Sequence, residues 1–397
     1  MEIEQDDFIL SDAEIAAGLA AFPSTSLGLK APESLSGGRA AAAGLYDGLD
    51  GAQQEKLKGA IRTLAGPARL ARFHYTVSDE AVVRSDLAWG AGGDGAIVAL
   101  TASGGRRRIS VRSEAALSLL LAQALAADDR LEKADMSLSL STAAILVLLA
   151  IAEHFKLLRL HAVAAHVEPL LVFKQEEVAA RLAEADTEDF RWPLLFFAKV
   201  MPVSLPLALT AEDVALAIEE LMLAELIAPS DETGEARIYE PTEVGEWVFD
   251  NLLHDVSKAA VGISEYREDG EVGHEAVLLV RSAFNLFLFD LSGQEGVFAS
   301  LSREGLEALS KALFSAAAVA VPAGARAVPQ TPQAGIRQPS QAAAVCAACG
   351  TALSPGQKFC NKCGAKAEQP RNQFCTKCGT PLPPGAKFCT KCGEETE

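Results

Sequence analysis

No cysteine occurs among the first 345 of the 397 residues. That excludes a thiol nucleophile and a disulfide framework from most of the chain. A GxSxG nucleophile elbow and a Walker A loop are missing as well. Long apolar runs are also lacking: the longest, Ala143 to Ala152, stops at Glu153 and is too short for a hydrocarbon layer of ~30 Å. The opening MEIEQDDFIL is acidic and has neither a basic n-region nor a small-residue cleavage site, so no secretory leader, no membrane partner and a cytoplasmic location are expected. The six histidines, His74, His154, His161, His166, His254 and His274, are scattered. His161 and His166 are too far apart for the i, i+4 face that HExxH uses. No catalytic residue stands out, and the chain is not expected to be an enzyme.

Apolar residues make up 49% of the sequence and the mean hydropathy is +0.17, which excludes a disordered chain and predicts two or three domains with a real core. Positive charge is scarce, with 35 Lys and Arg against 53 Asp and Glu. It is also unevenly placed. From Pro322 onward there are nine basic residues and four Glu, net +5, which leaves the body with 26 basic and 49 acidic groups, net −23. A body of that sign is repelled by a phosphate backbone.

All eight cysteines lie in the tail, as Cys346-x2-Cys349-x10-Cys360-x2-Cys363 and, 29 residues later, Cys375-x2-Cys378-x10-Cys389-x2-Cys392. The surrounding residues repeat too: VCAACGTALSPGQKFCNKCGAK and FCTKCGTPLPPGAKFCTKCGEE agree at 13 of 22 positions, an internal duplication. Four thiolates make a closed tetrahedral shell for Zn(II) in a structural role. Gly350, Gly364, Gly379 and Gly393 follow the CxxC pairs and let backbone N–H groups turn back toward sulfur. Lys358, Lys362, Lys377, Lys387 and Lys391 surround a site of negative formal charge, which favours the thiolate form. Units this short need the free energy of metal binding to fold, roughly 10 to 16 kcal/mol in small zinc peptides.

Two zinc ions, one per unit, follow from the duplication. A redox pair or an iron–sulfur site is the alternative chemistry, and a pairing in which the inner knuckles share one ion is the alternative arrangement. The CxxCG knuckles, with Pro355-Gly356 and Pro384-Gly385 marking a turn in each unit, resemble the tandem zinc-ribbon family. Zinc ribbons at 345–366 and 374–395 are expected, on an extended linker over 322–344 that holds four prolines and no acidic residue.

Within the body, AVVRSDLAW, AIVALT and RRRISV read as strands before a helix capped by Ser113. EAVLLVRSA, NLFLFDL and VFAS read as strands before a helix capped by Ser302. The same layout twice predicts a duplicated β-meander plus helix. Gly90-x-Gly92-x-x-Gly95 matches GxGxxG, but the strand-like AIVALT after it predicts a hairpin turn, because a dinucleotide site needs a helix there. Between the two meanders, helices are expected over 141–160, 175–185 and 210–227, the last with a capping-box start at Thr210 and Asp213. Leu226-Ile227, a polar turn, Arg237-Ile238-Tyr239 and a helix to Leu253 resemble the wing and closing helix of a winged helix-turn-helix domain.

That resemblance implies nucleic acid, yet residues 210–254 hold twelve acidic groups and one basic one, Arg237. Base readout calls for Arg, Lys, Asn or Gln. A protein partner is therefore expected, with nucleic acid the second class, reached through the winged helix or the basic tail. The overall expectation is an α+β protein: an α+β domain over 1–130, a winged-helix-like domain over 135–255, a second meander plus helix over 256–321, and the tethered ribbons. It points to a non-enzymatic, zinc-binding interaction adaptor or scaffold. A transcription-associated regulator and a cytosolic chaperone or assembly factor are the alternatives.

Overall fold

The computed structural model describes residues 2–4, 6–29, 44–78, 81–90, 96–128, 130–184, 192–200, 209–230, 237–266, 270–292, 295–315, 373–374 and 381–382. The chain divides into two compact units, Met1–Val328 and Pro329–Glu397. The first is a mixed α+β body built on one eleven-stranded antiparallel sheet.

Two four-stranded meanders form the centre of that sheet. The first is β3 (Arg69–Ser78), β4 (Ala81–Trp89), β5 (Ile97–Ser103) and β6 (Arg106–Arg112). The second is β10 (Ser257–Tyr266), β11 (Val272–Arg281), β12 (Leu286–Asp290) and β13 (Gly296–Leu301). They join back to back, β3 against β10, with Phe73 opposite Val261 and Ala71 opposite Ile263. A short strand is added at each outer end: β2 (Asp7–Leu10) pairs with β6, followed by β1 (Glu2–Glu4), and β7 (Ser137–Leu140) pairs with β13.

The duplication extends past what the meanders alone announce. Each added strand runs straight into a serine-capped helix, Ser11 into α1 (Asp12–Ala20) and Ser141 into α4 (Thr142–Ala165). Each meander ends the same way, Ser113 capping α3 (Glu114–Ala124) and Ser302 capping α9 (Arg303–Phe314). In each case the serine hydroxyl accepts from the backbone N–H three residues on, satisfying a donor the first turn leaves open.

The two faces of the sheet are covered differently. On one, α3 and α9 lie against each other over Phe73, Leu87, Ile97, Val261, Leu279 and Leu288. On the other, the first half carries α1 and α2 (Gly51–Ala65) over Phe8, Leu10, Val98 and Ile109. The second half carries a larger helical layer: α4, α5 (Gln175–Glu184), α6 (Pro193–Val200), α7 (Ala211–Leu223) and α8 (Glu243–Leu253). Its core is the apolar stretch Ala144–Ala152 with Phe155, Phe173, Phe249, Phe287 and Phe298, all buried. Each Val, Leu, Ile or Phe among them, removed from water, contributes about 1.5–3 kcal/mol. At the joint between halves, α6 lies so close to β10 that a Cβ on Gly262 would stand 2.0 Å from the Val200 carbonyl oxygen.

Segments 1–130, 135–255 and 256–321 all fall within the first unit, because their strands pair into one sheet across both boundaries. The segment expected as helix over 210–227 ends at Leu223: Glu225 takes a left-handed backbone (φ 59°), and Ile227 enters strand β8 (Ile227–Pro229). Around the GxGxxG match, β4 and β5 pair antiparallel with Trp89 opposite Ile97, so a strand follows the glycines; Gly92 and Gly95 lie outside the described residues. The linker 322–344 lies there too, as do both ribbons apart from Phe374, Pro381 and Leu382.

Candidate metal centre and interaction surface

Cys346, Cys349, Cys360, Cys363, Cys375, Cys378, Cys389 and Cys392 lie outside the described residues. What is described frames one pair of them. Strands β14 (Gln373–Phe374) and β15 (Pro381–Leu382) pair antiparallel, Gln373 opposite Leu382 and Phe374 opposite Pro381. Cys375 and Cys378 fall between these two strands in the sequence. The soft thiolate donors of a CxxC pair fit Zn(II). Among the described residues, no group of three or more His, Cys, Asp or Glu side chains is placed to hold a metal ion.

The second feature is the corner made by α7, β8, β9 (Tyr239–Pro241) and α8. Strands β8 and β9 pair antiparallel, with Ile227 opposite Pro241, and Phe173 bridges to Tyr239 from the other side. The start of α8 is clamped onto the end of α7. Thr242 donates its N–H to the Leu226 carbonyl (3.2 Å) and its hydroxyl to the Glu225 carbonyl (2.5 Å). Gly245 permits the approach, since a Cβ there would lie 1.7 Å from the Leu226 oxygen.

Helix α7 buries Val214, Ala217, Ile218 and Leu221, and its carboxylates divide by role. Asp213 closes the capping box with Thr210, and that hydrogen bonding holds its pKa below the usual range. Glu220 accepts from the Ser141 N–H (2.7 Å) and hydroxyl (2.6 Å), binding α7 to the start of α4. Glu212, Glu219 and Glu225 are exposed.

Buried charge in the body is paired within the fold. Asp255 receives Lys156 at 2.5 Å and Lys258 on its other oxygen, and the Lys156 ammonium also lies 5.8 Å from the Trp192 ring centroid. Buried Glu153 accepts from the Leu194 N–H at 2.9 Å, fixing the start of α6 on α4. His74, on central strand β3, stands edge-on to Phe196. Burial, assisted by Arg84 and Arg72, pushes its pKa down to about 4. On the neighbouring strand burial raises the Asp86 pKa, against the opposing pull of Arg72 and Arg107. Glu153, Lys156 and His74 all meet the segment 192–196 at α6, where they serve packing; of these groups the sequence singles out His74 alone, as one of six scattered histidines. The signal that was available was Asp255-x-x-Lys258 across the start of a strand.

No helix among the described residues is long and apolar enough to cross a membrane. The chain is similar to a chain in a solved structure of the Mycobacterium tuberculosis type VII secretion system chaperone EspG5 in complex with the PE25-PPE41 dimer. The TM-score is 0.40 and the identity 11%, over 77% of this chain and 95% of that one. No curated protein matches the chain. Residues 346–393 match the double zinc ribbon family, a span that takes in every cysteine of the sequence and supports zinc binding by the tail.

Proposed function

We propose that the chain is a non-enzymatic, cytoplasmic interaction adaptor: an acidic body that receives a protein partner, and a pair of tethered zinc ribbons that adds a second contact. The observation that carries this reading is the double zinc ribbon match at 346–393, set against a body of opposite charge. In it, Cys346, Cys349, Cys360 and Cys363 hold one zinc ion and Cys375, Cys378, Cys389 and Cys392 hold a second. The metal supplies folding energy rather than chemistry, since a closed four-sulfur shell leaves no open position for a substrate. The 29-residue duplication of the cysteine spacing supports that grouping. Tethering two contacts on one chain raises the effective concentration of the second once the first has formed.

The helical layer supports a winged-helix reading of the α4–α8 region. Helix α7 is followed by the β8–β9 hairpin, Phe173 supplies a third strand position beside Tyr239, and α8 closes the unit. The exposed Glu212, Glu219 and Glu225 on or just after α7 favour protein over nucleic acid as the partner.

Native mass spectrometry of reduced, anaerobically purified protein is expected to show two zinc ions, and Cys346→Ser to leave one. No bound metal would end the ribbon assignment. A pulldown at moderate salt is expected to recover a stoichiometric protein with the full chain and less of it with a chain ending at Val321. Submicromolar duplex DNA binding with a steep salt dependence would instead establish the regulator reading.

A further inference from the structure

We infer that the outward face of α7, continued around the corner onto the start of α8, docks a basic amphipathic helical segment of a protein partner; the inference rests on the adaptor reading and names the chemistry of that partner. The face is apolar where a finished surface would be polar. Leu216 is 58% exposed and Leu223 86%, the highest exposure among the large apolar residues of the described chain. Single exposed leucines are common, but these two stand two helical turns apart on one stripe, with Glu212 and Glu219 spaced along it: 212, 216, 219, 223. The bonds from Thr242 to Glu225 and Leu226 bring the start of α8 against the end of α7, adding exposed Val244 (49%) and Glu243 at the same corner.

Neither leucine is needed by the fold, since α7 already packs through Val214, Ala217, Ile218 and Leu221. The carboxylates of this helix that serve the fold are different ones, Asp213 and Glu220. What remains outward is leucine and glutamate in alternation, with Arg237 the one basic residue between positions 210 and 254. Charge complementarity then selects the occupant. A phosphate backbone or an anionic lipid surface is repelled, and so is a second copy of a chain of net charge −18. A helix with its own i, i+3, i+4, i+7 apolar stripe flanked by Lys and Arg buries the leucines and pairs with Glu212, Glu219, Glu225 and Glu243.

The test is fluorescence anisotropy of the full, zinc-loaded chain with a labelled Leu/Lys peptide of helical period, beside a scrambled peptide of the same composition. Leu216→Ser/Leu223→Ser and Glu212→Lys/Glu219→Lys alter exposed positions, and unchanged thermal melting verifies their fold. The expected result is that the patterned peptide binds, and that each double variant and the scramble weaken binding by about tenfold or more. Equal binding of the scrambled peptide, or no loss in either double variant, would overturn the docking face and leave only diffuse attraction to an acidic body. Failure here with a stoichiometric partner still recovered by pulldown removes this occupant and leaves the adaptor; peptide binding with no partner recovered does the reverse.

Discussion

The two halves of the body share a scaffold and differ in what is inserted into it. Both run strand, serine-capped helix, insert, four-stranded meander, serine-capped helix. In the first half the insert contains α2, and one layer of α1 and α2 covers its face of the sheet. In the second it contains α5 to α8 and β8–β9, and the exposed Leu–Glu stripe lies there. The sheet and the serine-capped helices are common to both halves, and the inserts are where the halves differ. The described part of the small insert packs into a core.

The largest expected effect comes from breaking the larger insert at its corner. Gly245→Val sets a side chain against the Leu226 carbonyl and forces α8 off α7, losing both Thr242 bonds; overpacking plus two hydrogen bonds amounts to about 4 kcal/mol, read as a lower urea midpoint. Gly48, a turn glycine of the smaller insert with nothing within 4 Å of its Cβ position but φ at +79°, should cost only about 1 kcal/mol on Gly→Ala, from backbone strain.

A second test addresses the joint between the halves. Folded His74 takes up a proton only near pH 4, whereas the unfolded chain does so near 6.5. Acidification through that window favours unfolding, so the His74 contribution is present above pH 6.5 and falls by ~3 kcal/mol by pH 4. His74→Phe should flatten that part of the stability–pH curve, measured by urea titration at each pH.

The smallest effects sharpen the symmetry itself. Ser113→Ala and Ser302→Ala each remove an N-cap at the same place in the repeat and should each cost about 1 kcal/mol, matched within error. Ser141→Ala should cost more than Ser11→Ala: the Ser11 hydroxyl donates to Glu14 within its own first turn, whereas that of Ser141 donates to Glu220 and ties α4 to the larger insert.

Strands β4 to β6 and β11 to β13 were legible in the sequence because their alternation and their following caps are local. So were α4, α7 and α8, from apolar period and capping residues. The strands β3 and β10 were not. RLARFHYTVS mixes arginine and histidine into its pattern, and SKAAVGISEY is rich in small residues, so each becomes a strand only through the other. The added strand β7, SLSL, has four residues and declares itself only by its partner β13. On the site side, the cysteine spacing was legible because a metal shell is encoded in short intervals. The division of the α7 carboxylates was not, since Glu220 is removed from the surface by Ser141, 79 positions away.

That central seam bears on how the molecule comes into being. Thr76 and Lys258, which hydrogen-bond across it in both directions, are separated by 182 positions. During synthesis β3 must wait with one edge unsatisfied until the larger insert and the first strand of the second meander have emerged from the ribosome. Folding is accordingly expected to be slow and closure late, with an exposed strand in the interval that any cell making this protein has to shield.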